Sequence, residues 1–313
     1  MSGKNVGAGV YARLQNLARE RKLDMVGVLR RYVQERLLYR LSISDEAGNF
    51  CVKGGLLLSF YNDGNLLRPT EDIDFNGFDA GSDITTLQSA LEKILAVEVE
   101  DDGVRFLPDT MKVEKDRVGL IPGGKVSLQA LVHTAKVDIK VDVGFGNPIN
   151  PEVRRIVMPT ILGGIAPQPE VLAYPLETVI AEKIHAMVQF GVDNTRVKDY
   201  FDMWMLAGMH SLDGAKLVEA VTGTFAAQER DIPPAELEGL TVDFAEYAAD
   251  KWQKFLKKID AKSTISLEEV VEVLSEMIHP VTEAARLGEA FDEVWHPDGG
   301  WQQPEATLGN RAS

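Results

Sequence analysis

The chain has 313 residues, 45% hydrophobic and 26% charged, with a formal net charge of −15 and one cysteine. That is enough for one large or two modest domains with real cores, in the composition of a soluble globular protein. No apolar run approaches bilayer length and no apolar h-region lies near the N-terminus, so a cytoplasmic protein without membrane contact is expected. The lone Cys51 excludes an intrachain disulfide, and the five scattered histidines argue against a zinc site.

Residues 8–21 and 24–42 have the spacing of two helices. In the second, Met25, Val28, Leu29, Tyr32, Val33 and Leu37 form an apolar stripe, with Arg30, Arg31 and Glu35 mostly off it. Residues 1–42 carry nine basic side chains against three acidic ones, a net of +6, which leaves −21 on the rest of the chain. An acidic body repels nucleic acid, so any RNA must be held by a local basic patch. The N-terminal region is the obvious place for one, although a basic helix face is also commonly just solvated.

After a turn in ISDEAGN comes VKGGLLLSFYNDGNLLRPTEDIDF, residues 52–75. A short apolar strand, Phe50 to Lys53, runs into Gly54-Gly55, and LLLSFY reads as a short helix. N–H groups at a glycine-opened helix start face outward without side chains in the way, a setting that favours phosphate oxygens. If Asp72 to Phe75 is a strand, its period of two puts Asp72 and Asp74 on one face and Ile73 and Phe75 on the other. Two co-facial carboxylates make half of a site for magnesium, which takes hard oxygen ligands and often sits between carboxylates and substrate phosphates.

Residues 76–83 read as a loop and Ile84 to Leu95 as a helix. AVEVE, DDG and VRFL read as a hairpin turning at Asp102-Gly103. From 125 to 143 the alternation is clean: Val126, Leu128, Ala130 and Val132 share one face, as do Val137, Ile139, Val141 and Val143. Lys136, Asp138, Lys140 and Asp142 share the other. Such a strand serves as a solvated sheet face; beside DIDF it also supplies a third carboxylate, from Asp138 or Asp142.

Residues 144–175, rich in glycine and proline, read as a crossover to a helical half. A helix then runs from Pro175 to about Phe190, and at 100° per residue Lys183 falls in the middle of its apolar stripe. A lysine centred on a buried face requires a partner, or snorkels to water. The sharper expectation is that Lys183 reaches an active site and neutralises triphosphate charge. The next helix, Thr195 to about Leu206, groups Thr195, Lys198, Asp199 and Asp202 in one polar sector, with Lys198 and Asp202 spaced for an ion pair. Helical segments follow near 213–227, 241–258, 266–278 and 281–293.

The order GG, then DID, then a later strand with another Asp, resembles the nucleotidyltransferase superfamily that includes DNA polymerase beta. RPTEDIDF, KVDVGFG and ETVIAEKIHAMVQFGVDNTRVKDYFDMW resemble more closely the AbiEii-type nucleotidyltransferases, the toxin halves of type IV toxin-antitoxin and abortive-infection systems. The likeness covers roughly residues 45–210. It implies an α/β nucleotidyltransferase with a mixed sheet, flanking helices and a helical C-terminal half. GFG after the carboxylate selects Asp142 over Asp138, so Asp72, Asp74 and Asp142 become the expected ligands of Mg²⁺, two ions in this family's chemistry, with an NTP as substrate. The resemblance also makes Lys198 and Asp199 expected site residues and implies an RNA acceptor such as tRNA and a cognate antitoxin. Gly54, Gly55 and Ser59 are expected to cradle phosphates. The superfamily's turn is commonly Gly-Ser, whereas here Gly55 is followed by Leu56 and the nearest serine is Ser59. The expected organisation is a helical region over 1–45, a catalytic core over 46–150, a helical domain over 151–297 and a flexible tail over 298–313. Two other readings share these residues: a small-molecule nucleotidyltransferase of the aminoglycoside-modifying kind, and a catalytically silent binding protein.

Overall fold

The computed structural model describes residues 5–62, 68–78, 84–116, 123–147, 149–234, 237–261 and 264–304. It is a mixed α/β fold in two units, Met1–Asn147 with Val153–Tyr174, and Pro148–Glu152 with Pro175–Ser313. Among the described residues no helix is long and apolar enough to cross a membrane.

The first unit opens with α1 (Val6–Arg21) and α2 (Met25–Ser42). Asn5 caps α1 by accepting from the Ala8 N–H at 3.0 Å, and Asp24 caps α2 through the Gly27 N–H at 2.8 Å. Then follow β1 (Phe50–Lys53), α3 (Gly54–Leu58), β2 (Asp72–Gly77), α4 (Ile84–Ala96), β3 (Val104–Asp116), β4 (Gly123–Val132), β5 (Ala135–Phe145), β6 (Arg154–Val157) and β7 (Glu170–Ala173). They form a seven-stranded sheet of order β3-β4-β5-β2-β1-β7-β6. Strands β2 and β5 are parallel, as are β1 and β7. Helices α1, α2 and α4 pack on the sheet, burying Ile73, Phe75, Val126, Leu128, Val137, Ile139, Val141 and Val143. The alternation in the sequence thus assigns the faces of β2, β4 and β5 as expected, and leaves the polar positions on the opposite face.

Three expectations change here. AVEVE is not a strand: α4 runs to Ala96, and VRFL instead begins β3, which pairs with β4. The 144–175 stretch is not a bare crossover, because β6 and β7 extend the sheet past β1. The largest change is α2, whose polar residues are not a solvated face. Arg31 is 3% exposed, Glu35 and Arg36 0%, and Arg40 6%. With α1, α4 and the sheet around it, α2 is covered on several sides, and Arg31, Glu35 and Arg40 find partners in the interior. Arg31 donates to Glu35 at 2.7 Å and to the Ser59 hydroxyl at 2.7 Å, and Glu35 accepts from the Ile161 N–H at 3.0 Å. Arg40 pairs with Asp102 at 2.8 Å. Burial pushes the Glu35 carboxyl up, against the opposing pull of Arg31.

The second unit holds α5 (Leu176–Phe190), α6 (Val197–Ala207), β8 (Leu212–Asp213), α7 (Gly214–Ala227), α8 (Val242–Lys258), α9 (Leu267–Leu287), β9 (Val294–His296) and β10 (Gly300–Gln302). The helical segments expected at 266–278 and 281–293 join into one helix that stops short of the second's end: α9 starts at a Ser266/Glu269 capping box, passes through Pro280 and ends at Gly288 in the left-handed region. Within the tail expected over 298–313, Gly300–Gln302 pairs with Val294–His296; residues 305–313 lie outside the described residues.

Candidate active site

Strand register builds the centre of the first unit. Asp74 of β2 lies directly beside Asp142 of β5. On the outer sides of this pair, Lys53 of β1 is the partner of Asp74 and Lys125 of β4 is the partner of Asp142. Residues paired across strands point to the same side, so one rung presents Lys53, Asp74, Asp142 and Lys125 on the polar face. Asp72 stands on the next rung beside Lys140. Asp138 lies farther along β5, where the Gln129 amide donates to it at 2.8 Å. Register therefore brings Asp142, and not Asp138, to the aspartates of β2. Sequence reading missed Lys53 and Lys125, because cross-strand partners are visible only once register is known.

The two glycines serve different purposes. Gly54 has φ +69°, and a β-carbon there would come within 2.6 Å of Asp74 Cγ. Its absence lets the Asp74 carboxyl lie against the backbone at the start of α3. A β-carbon on Gly55 would instead meet the Thr70 hydroxyl at 2.8 Å and the Arg68 guanidinium at 3.0 Å. Helix α3 has five residues, too short for a developed dipole. The glycine pair contributes space. The side chains packed on it, Arg68 and Thr70, are polar groups that the sequence reading passed over in RPTEDIDF.

Two atoms here are buried without a hydrogen-bond partner: Asp72 Oδ1 and Thr70 Oγ1. A buried carboxylate oxygen without a donor is costly unless something outside the chain satisfies it. Among the described residues no group of three or more His, Cys, Asp or Glu side chains is placed to hold a metal ion. The aspartates are thus neighbours without forming a closed cage. This suits magnesium, which is commonly held by one or two carboxylates together with substrate phosphates. The orphaned Asp72 oxygen and the adjacent Asp74 and Asp142 fit such an ion.

Ser59 leaves the phosphate-facing set. It is 0% exposed, accepts from Arg31 and donates to the Leu56 carbonyl at 2.8 Å. Its position at the end of α3, four residues beyond the glycines, turns it into the core.

Lys183, Lys198 and Asp199 belong to the second unit. The Lys183 ammonium lies 2.7 Å from Asp199 and 2.9 Å from Asp202, with the lysine side chain 12% exposed and the carboxylates 4% and 0%. Arg196 donates to the other Asp199 oxygen at 2.7 Å. Burial alone would raise the Asp199 pKa, but Lys183 and Arg196 overcome it and hold the carboxyl well below its usual range. For Lys183, desolvation is likewise outweighed by the two carboxylates, which raise its pKa. The lysine on the apolar stripe is therefore explained by partners across α5 and α6. The single polar sector expected for α6 divides, with Lys198 exposed and Asp199 and Asp202 buried.

Comparison with known proteins bears on the family and the fold. The family model described as the nucleotidyl transferase AbiEii toxin of type IV toxin-antitoxin systems matches residues 36–292. Among solved structures, MenT4, a nucleotidyltransferase toxin of Mycobacterium tuberculosis, is similar at 16% identity over 90% of this chain and 99% of that chain, with a TM-score of 0.51. JHP933 from Helicobacter pylori is similar at 15% identity over 84% of this chain and 94% of that chain, with a TM-score of 0.45. At such identity the likeness to MenT4 shows a shared fold. No curated protein sequence matches the chain.

Proposed function

The chain belongs to the AbiEii nucleotidyl transferase toxin family, and on that premise we propose that it is a Mg²⁺-dependent enzyme that transfers a nucleotide from an NTP to a hydroxyl of RNA, acting as a toxin held in check by a cognate antitoxin. The observation that carries the proposal is the Asp72, Asp74 and Asp142 cluster: two aspartates side by side across parallel strands and a third with a buried, unpartnered oxygen.

In this reading Asp74 and Asp142, with Asp72 on the next rung, would hold the metal together with the substrate phosphates, and the ion would supply positive charge against the phosphate oxygens. Gly54 and Gly55 leave room for the Asp74 carboxyl and for Thr70 and Arg68 against the start of α3, and the Arg68 guanidinium held there would face the triphosphate. Lys53 and Lys125 add positive charge at the two ends of the carboxylate pair. The acceptor oxygen bonds to the α-phosphorus as the bond from that phosphorus to the pyrophosphate oxygen breaks. Pyrophosphate departs with the bonding pair, and a carboxylate of the row takes the hydroxyl proton. Lys183 and Asp199 act with Arg196 and Asp202 as one neutral group within the second unit, where Lys198 is exposed.

Asp74→Asn tests the proposal. It keeps the side-chain volume and removes the charge; we expect loss of nucleotide transfer and of growth inhibition, with an unchanged circular dichroism spectrum and Tm. Toxicity equal to that of the parent would sink the catalytic account.

A further inference from the structure

We propose that the exposed polar face of β3, β4 and β5, running away from Asp142, is the surface that binds the phosphodiester backbone of the acceptor RNA; this rests on the RNA-acceptor reading above. Register defines the surface. Beyond the rung of Asp142 and Lys125, the next holds Lys140, Ser127 and Lys112, and the one that starts β5 holds Lys136, Leu131 and Arg105. Arg105, Lys112, Lys125, Lys136 and Lys140 are all exposed. The acidic residues on the rungs from Asp142 to Lys136 are Asp142 and Glu114 on the first and Asp138 farther along, and Asp138 is engaged by Gln129. Lys140 also lies 3.6 Å from Glu71, with both side chains 58% exposed, a solvated pairing easily exchanged for a phosphate.

Charge and position both favour this face. The chain carries a net charge of −15, so a surface with five cations against three anions, Asp142 included, is the reverse of its average and a natural site for a polyanion. The rival surface, the N-terminal helices, has lost much of its charge to the interior, because Arg31, Arg36 and Arg40 are buried. The sheet face is also continuous with the aspartates. From residue 142 to residue 136 of β5 it extends about 20 Å along the strand, and β3 lies about 10 Å across from β5. A strand of RNA whose hydroxyl sits at Asp142 has its neighbouring phosphates over these cations. Ser127 and Gln129, between them, offer neutral hydrogen-bond donors.

The test is a triple variant, Arg105→Ala, Lys112→Ala and Lys136→Ala, chosen away from the carboxylate rung. Binding of a labelled mixed tRNA pool is measured against salt for the parent, for this variant, and for Arg13→Ala, Arg19→Ala, Arg21→Ala on α1. Removing one cation that neutralises a phosphate lowers the slope of log K against log salt by about 0.7 to 0.9, so the sheet variant should fall by about two to three while binding Mg-NTP as the parent does. The α1 variant should match the parent. A sheet variant with the parent's affinity and slope, or an equal loss in the α1 variant, would overturn the assignment even where the parent labels RNA. A parent that neither binds nor labels the pool would refute the RNA-acceptor reading itself, and the surface with it.

Discussion

Replacing Gly54 by alanine separates the fold from the site more sharply than any other single change. Gly54 adopts φ +69°, and the new methyl would lie 2.6 Å from Asp74 Cγ and 2.9 Å from its Cβ, well inside van der Waals distance. An alanine in the left-handed region costs about 1–2 kcal/mol, which in a unit of this size lowers Tm by roughly 2–8 °C. The fold survives such a loss. The carboxyl of Asp74 must move aside by about an ångström, and a displacement of that size at a reacting centre costs on the order of 100-fold in rate. Gly55→Ala is the matched control. Gly55 has no positive φ, and its methyl would meet the Thr70 hydroxyl at 2.8 Å and the far end of Arg68 at 3.0 Å rather than a carboxylate of the row, so a smaller loss is expected. Thermal unfolding with single-turnover transfer on both variants decides the matter. Full activity in Gly54→Ala would refute the claim that the glycine exists to admit Asp74, and equal losses in the two variants would remove the distinction between them.

Other consequences concern buried charge. Lys183→Met leaves Asp199 and Asp202 buried without their shared cation and should destabilise by about 3–5 kcal/mol in urea, whereas Lys183→Arg should recover part of that. Arg31→Ala exposes Glu35 to the same penalty, so loss of activity there should track loss of folded protein. Arg36 is different: its three guanidinium nitrogens have no hydrogen-bond partner, and Tyr32 and Tyr39 flank it at 5.6 and 5.5 Å. Arg36→Met should therefore be neutral or stabilising by chemical denaturation. The pH dependence follows from the α5–α6 group. Asp199 is depressed, so its contribution is present above its ordinary value of 3.8 and lost as pH falls below it; Lys183 is raised, so its contribution is present below 10.5 and lost as pH rises through its folded value. Asp199→Asn should flatten the acid arm of the stability profile, and an unchanged arm would mean the pair contributes nothing.

Much of the first unit is legible in the sequence because its signals are local. Period two in DIDF and KVDIKVDV assigns the faces of β2 and β5, and the following GFG distinguishes Asp142 from Asp138 by resemblance, as register does by position. What stays hidden depends on tertiary partners. The arginines of α2 look like a solvated face until α1, α4 and the sheet enclose them. Lys183 stands out as misplaced on an apolar stripe, yet its partners Asp199 and Asp202 sit on another helix, and helical spacing alone suggests Lys198 for Asp202. Ser59 stands in for the serine of a Gly-Ser turn, but α3 carries it away from the glycines. The polar row of Lys53 and Lys125 has no signature along the chain, because it exists only across strands.

The central claim is that the aspartate row transfers nucleotides to RNA with the help of a divalent cation. Purified protein incubated with total RNA and each of the four labelled NTPs, with Mg²⁺ or with EDTA, and with Asp74→Asn in parallel, tests it most directly. The account predicts a labelled RNA band with at least one nucleotide, absent in EDTA and absent with Asp74→Asn. Labelling that persists in the variant or in EDTA, or an active preparation that labels only small molecules, would contradict it.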